Sequence, residues 1–374
     1  MRFHLLLALA LAGCGSAMGT DAGGSPTDAG DGDAGATALD AGGTSVDGGA
    51  AADAGVGEPF TGPEGTWDFT PIEGASCGNG SPLPVMVNRA PGSDGTEPVL
   101  LYLQGGGACW DANTCFVIRS ATHVEDTLDE ATLSAETPSF RRDDGGPWAG
   151  ATWVYVPYCT GDLHAGRRVA SYDTLTGPRE VHHVGADNIE RILARLHATV
   201  PSPSMVWLAG TSAGAYGVTL DFWRARARWP GTRVDVLADS GMMIDVVADR
   251  WAAMTASWDL SLPPGCADCG EGLSRVLPHY DATILEPYRY ALLTFDDDAV
   301  IRTFFGFGPG GVRAAFAPVR TAMSATATQR SYVLTGEEHV LAGDLSRTTS
   351  DGVVLAAWLV AFATEDPSWD DAGP

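Results

Sequence analysis

The segment 204–229, SMVWLAGTSAGAYGVTLDFWRARARW, constrains the fold more than any other part of the chain. It starts as a short apolar run of buried-strand character. It ends in AYGVTLDFWRARARW, which reads as a helix. Between the two stand only small residues, Gly210, Thr211, Ser212, Ala213 and Gly214. A strand that feeds straight into a helix through so tight a turn belongs to a parallel sheet covered by helices. Other segments supply its neighbours. PVLLYLQ (98–104), TWVYVPY (152–158), VDVLAD (234–239), RYALLTF (289–295) and RSYVLTG (330–336) have the length and composition of strands. DNIERILARLHATV (187–200) carries Ile189, Ile192, Leu193 and Leu196 at helical spacing, with Asp187 as the expected N-cap. DGVVLAAWLVAFATE is an apolar helix too short to cross a bilayer. The expected class is α/β, with a mostly parallel central sheet and helices on both faces.

The N-terminal region is different material. MRFHLLLALALAGC has a basic start and an apolar run too short for a membrane span, as a secretory signal does. Its close, Leu11-Ala12-Gly13-Cys14, resembles a bacterial lipobox. The expectation is a signal peptide over 1–13 and a lipid on Cys14. Gly, Ala, Asp, Ser and Thr then dominate, with DAG recurring and almost no large apolar side chain. Such a stretch cannot offset its ordering entropy by burial, so 14–60 is expected to be a self-repelling tether. That leaves 61–374 as the working domain. The net charge of −25 argues against a nucleic-acid partner, whose phosphates need Lys and Arg surfaces. All 22 basic residues are Arg.

Six cysteines remain beyond Cys14: Cys77, Cys109, Cys115, Cys159, Cys266 and Cys269. An even number in an exported chain points to disulfides. Cys109–Cys115 and Cys266–Cys269 are near enough in sequence to pair, leaving Cys77 for Cys159. CADC lacks a second ligand pair at zinc spacing, and Asp162 and His164 lack a third ligand, so no metal or other cofactor is expected.

Ser212 occupies the strand-to-helix turn of G-x-S-x-G, the setting of a nucleophile elbow, with the Ala213 N–H aimed at a developing oxyanion. A base must follow it, and of eight histidines only His279 and His339 do. His339, in TGEEHVLAG, sits after a strand and before the final helix, which favours it. For the acid, LLTFDDDAV offers Asp296, Asp297 and Asp298 at a strand end, and LADSG offers Asp239. The acid holds the imidazole tautomer and stabilises the imidazolium. LQGGGACW (103–110) resembles a glycine-rich oxyanion loop.

Several ordered blocks resemble the pectin acetylesterase family: LYLQGGGACWDANTC, VYVPYCTGDLHAG, LAGTSAGAYGV, LADSGMMID, DDDAVIRTFFG and EEHVLAG. The resemblance implies an α/β-hydrolase fold with Ser212 as nucleophile, Asp298 as acid and His339 as base. It implies oxyanion donors at Gly106, Gly107 and Ala213. Asp298 is favoured because an aromatic pair follows it in DAVIRTFF. The chain departs from the family at Gln104, where an acid is usual, and at Gly107 or Ala108, where an aromatic residue is usual. The function so implied is a serine ester hydrolase acting on an O-acetylated polysaccharide or small ester. It would be a monomer held outside the cytoplasm on a bacterial membrane. The competing reading is an inactive glycan-binding lipoprotein on the same fold.

Overall fold

The computed structural model describes residues 57–137, 142 and 146–374. The signal peptide, Cys14 and nearly all of the expected tether lie outside these residues. Phe60, the last residue assigned to the tether, is buried beneath the Arg195 guanidinium, and its N–H donates to Thr199 Oγ1 at 2.7 Å. The packed body therefore takes in that residue.

Among the described residues ten strands run in chain order as β1 (Asp68–Ser76), β2 (Pro82–Asn88), β3 (Val99–Leu103), β4 (Thr152–Val156), β5 (Arg168–Thr174), β6 (Gly177–His183), β7 (Val206–Thr211), β8 (Val234–Asp239), β9 (Tyr290–Phe295) and β10 (Gln329–Leu334). The helices are α1 (Glu130–Glu136), α2 (Gly185–Thr199), α3 (Ala213–Arg228), α4 (Ala248–Trp258), α5 (Val276–Thr283), α6 (Ala299–Phe305), α7 (Gly311–Ser324) and α8 (Leu355–Ala363). Eight strands form one sheet in the order β1-β2-β4-β3-β7-β8-β9-β10, and β5 and β6 form a separate hairpin. From β4 to β10 every pairing is parallel. The β1–β2 and β2–β4 pairings are antiparallel, so within this sheet β2 alone runs against the other strands. This is the expected α/β-hydrolase-like architecture.

Alternation along the strands builds the two cores. Val99, Leu101 and Leu103 face the core that includes Ile189, Ile192, Leu193 and Leu196 of α2 and Leu220 and Phe222 of α3. Leu100 faces the other way, into a core with Trp153, Trp207, Leu293 and the α8 residues Leu355, Trp358, Leu359 and Phe362. Both faces are covered, so the parallel strands read as near-continuous apolar runs. One expectation fails. Asp187 lies inside the first turn of α2, which is capped at Val184. The carboxylate faces Arg167 at 3.4 Å, and its position near the helix N-terminus suits the macrodipole. Gly185 and Ala186 pack into the core and draw the helix start back. The helix expected from 351 onward begins only at Leu355. Among the described residues no helix is long and apolar enough to cross a membrane.

The six cysteines are joined as Cys77–Cys159, Cys109–Cys115 and Cys266–Cys269.

Candidate active site

The parallel strands bring their C-terminal ends to one edge of the sheet. Strand order reverses between β3 and β7, and such switch points in open α/β sheets are where ligands bind. There β3 leads into the glycine loop and β7 leads into Ser212.

Ser212 is the N-cap of α3, with φ 53° and ψ −121°. Its N–H donates to the Asp239 carbonyl oxygen at 2.7 Å, which fixes the turn against the end of β8. The small neighbours are a steric necessity. A Cβ on Gly214 would lie 2.0 Å from the Leu103 carbonyl oxygen, and one on Gly210 would meet the Gly214 backbone at 2.4 Å. The turn is thus wedged between two strand ends.

The glycine loop is equally confined. Gly107 has φ +82°, and a Cβ there would sit 2.0 Å from the Ser120 carbonyl oxygen. The Gly106 carbonyl accepts from Thr122 N–H at 2.8 Å, and the Ala108 N–H donates to the Ser120 carbonyl at 3.2 Å. His164 supports the loop from beneath, its Nε2 lying 2.9 Å from the Gln104 carbonyl oxygen. Burial holds the His164 imidazole down to about 4, so the neutral ring donates this bond. The Gln104 side chain accepts from Tyr158 N–H and donates to Glu136 Oε2. An acid from α1 therefore touches the position where the family usually has one in the chain. Cys109–Cys115 ties down the far end.

The three consecutive aspartates after β9 divide their contacts. Asp296 receives the Arg313 guanidinium in two bonds, at 2.8 and 3.0 Å. Asp297 takes Arg302 at 3.0 Å and Gly310 N–H at 2.9 Å. Only Asp298 turns to the histidine: its Oδ2 lies 2.6 Å from His339 Nδ1. Its other oxygen accepts from Val300 and Ile301 N–H, so Asp298 also caps α6 and is fully buried. A carboxylate can only accept, so Nδ1 carries the proton and Nε2 keeps its lone pair. His279 sits on α5, half-buried.

Asp239 is not bonded to the imidazole. Its carboxylate accepts from Leu341 N–H at 2.9 Å and from Ala342 N–H at 2.8 Å. Burial pushes it up to about 6, opposed by those N–H groups and by His339. Asp162 is likewise buried and pushed up to about 6, and its carboxylate binds Thr160 and the N–H groups of His164, Gly166 and Gly185. His183 bonds to the Thr160 carbonyl and to Tyr172 Oη. These groups shape loops rather than gather on a common point.

Beside Ser212 is an apolar cavity with about 20 Å³ of room, about one water-sized sphere. Gly107 and Ala213 line it, together with Leu163, Trp251, Met254 and Phe304. Gly106 is not among its lining residues; a Cβ there would lie 2.1 Å from Thr122 Oγ1 and 2.7 Å from the Tyr158 ring. Sequence reasoning missed Trp251 and Met254, because α4 has no motif to mark it. It also missed Ser240, and it favoured a structural or pocket-lining role for His164 without naming the Gln104 carbonyl that it braces.

Fold and site together define an α/β-hydrolase-like protein with a serine at the elbow and an aspartate–histidine pair at neighbouring strand ends. The pectinacetylesterase family profile matches residues 69–258, just over half of the chain, and the chain belongs to that family. The matched region includes the glycine loop and Ser212 and ends before Asp298 and His339. Human palmitoleoyl-protein carboxylesterase Notum is 28% identical over 185 residues, which cover 46% of this chain and 34% of that protein. The Notum carboxylesterase of Schmidtea mediterranea is 28% identical over 165 residues, covering 41% and 28%. The match thus spans about a third of the curated relatives' length.

Proposed function

We propose that this protein is a serine carboxylic-ester hydrolase that removes acetyl groups from a polysaccharide. The observation that carries the reading is the Asp298–His339 pair at 2.6 Å, presented at the strand-end edge that also holds the Ser212 elbow. Ser212 Oγ attacks the ester carbonyl while His339 Nε2 takes its proton. Asp298 fixes the tautomer and stabilises the imidazolium. The N–H groups of Gly106, Gly107 and Ala213 receive the oxyanion. The imidazolium then protonates the departing sugar oxygen, leaving acetyl-Ser212. Water, deprotonated by His339, releases acetate and restores the serine.

The size of the cavity supports a short acyl group. Room for one methyl-sized group suits acetate, whereas the palmitoleoyl chain in the relatives' names would not fit the cavity as it stands. With a net charge of −25 the chain gains nothing electrostatically from an anionic polymer, which favours a neutral acetylated glycan. We also infer that residues 1–13 export the chain and that a lipid on Cys14 holds it, through the acidic tether, outside the cytoplasm. Turnover of p-nitrophenyl acetate should fall at least a thousandfold in Ser212→Ala, and p-nitrophenyl palmitate should be a poor substrate for the wild type. Equal activity in the variant would overturn the reading.

A further inference from the structure

The mechanism above uses Ser212, His339 and Asp298, yet a fourth ionisable side chain is built into the same edge. Asp239 ends β8, is 2% exposed, and has no role in the proton transfers. It is bonded to both catalytic segments, and its carboxylate also accepts from Ser240 Oγ at 3.3 Å. The backbone oxygen of Asp239 accepts the Ser212 N–H at 2.7 Å. Its carboxylate accepts from Leu341 at 2.9 and 3.1 Å and from Ala342 at 2.8 Å. The adjacent Ser240 continues the arrangement: its Oγ accepts the Val340 N–H at 2.9 Å. Three successive N–H groups directly after His339 are therefore held by two successive side chains. The loop needs such holding, because Val340 has φ 67°, which a β-branched residue rarely adopts, and Ser240 itself has φ 62°.

We propose that Asp239, with Ser240, is a positioning residue that locks the His339 loop to the Ser212 turn, so that base and nucleophile keep their geometry through both half-reactions. The inference rests on the esterase reading above. The role asks for an ionised carboxylate rather than an amide. Both Asp239 oxygens face N–H groups, and an asparagine would aim its own N–H₂ at one of them. The ionisable groups around Asp239 are His339 of the same loop and Tyr102 of β3, with Asp298 beyond the imidazole. The negative charge of Asp239 also favours the imidazolium that forms at His339. A 1 Å misplacement of a catalytic group costs on the order of a hundredfold in rate, so a clamp of this kind is catalytically significant.

The test is p-nitrophenyl acetate hydrolysis by the wild type, Asp239→Asn and Ser240→Ala, with competent sites counted by fluorophosphonate labelling. Asp239→Asn should lower kcat per labelled site about a hundredfold, with KM changed less than threefold. Its acid limb in kcat/KM should move to lower pH by about half a unit, as the imidazolium loses a nearby negative charge. A merely structural aspartate would reduce the number of labelled sites and leave both quantities alone; kcat per site within threefold of the wild type and an unmoved limb overturn the proposal. Should Asp239→Asn not fold, Ser240→Ala decides. It removes the acceptor of Val340 N–H and one long donor to Asp239, and about a tenfold fall in kcat per site is expected, with no fall overturning the clamp. Activity that survives Ser212→Ala would instead remove the esterase reading, and the clamp with it.

Discussion

Three adjacent aspartates with different partners show how little residue type says at this site. Asp296 and Asp297 are bound to arginines, while Asp298 binds His339 and caps α6. The sequence narrowed the acid to this run and, on the resemblance, to Asp298. Nothing in DDDAV itself separates the three, because the choice is made by Arg313 and Arg302, which lie on helices further along the chain. Asp298→Asn should lower kcat by about 10⁴-fold, as neutralising the acid of a Ser-His-Asp triad does. Asp296→Asn should stay within about tenfold of the wild type, the loss coming from a looser Arg313 contact. Steady-state kinetics on p-nitrophenyl acetate separates the two. The runner-up, Asp239, shows the reverse case. Its strand-end placement was legible, but its partners are backbone N–H groups of a distant loop, which no side-chain pattern reports.

Among the parallel strands, legibility followed burial. β3, β4, β7, β8, β9 and β10 are covered on both faces, so their apolar runs were readable to within a residue or two. The hairpin of β5 and β6 was not, because RVASYDT and GPREVHH are largely exposed and carry few apolar residues. The helix α4 was also missed, although it sets the size of the cavity. Trp251 is pinned by a bond from its Nε1 to the Gly270 carbonyl at 2.8 Å, and Met254 packs one turn further on. On the proposed function the helix would thereby supply a rigid end wall for the acyl group. Trp251→Ala should raise the ratio of p-nitrophenyl butyrate to acetate turnover, as kcat/KM, by about tenfold, the usual size of a one- or two-methylene discrimination. An unchanged ratio in a folded variant would place the acyl group elsewhere.

At the scale of the whole molecule, the site is a property of the sheet. The glycine loop, Ser212, Asp239, Asp298 and His339 follow β3, β7, β8, β9 and β10 in turn, and parallel pairing alone brings them to one edge. The alternation of strand and helix in the sequence was enough to expect such a sheet. The strand order, with β4 outside β3 and the reversed β2 near the margin, was beyond it, since register and order come from contacts far apart in the chain. That frame is also what keeps the elbow in place. A serine at φ 53° and ψ −121° sits where non-glycine residues carry a cost of order 1–3 kcal/mol, and it stays there because Leu103, Gly214 and Asp239 leave it no alternative. The protein would accordingly be more robust without Ser212, the nucleophile of the proposed function. Ser212→Gly should abolish turnover yet raise the melting temperature by about 1–3 °C, the relief exceeding the ~0.5–1 kcal/mol entropy cost of glycine. Differential scanning calorimetry of that single variant would measure the tension that the rest of the fold keeps in check, and would show why selection for durability alone tends to erode an active site of this shape.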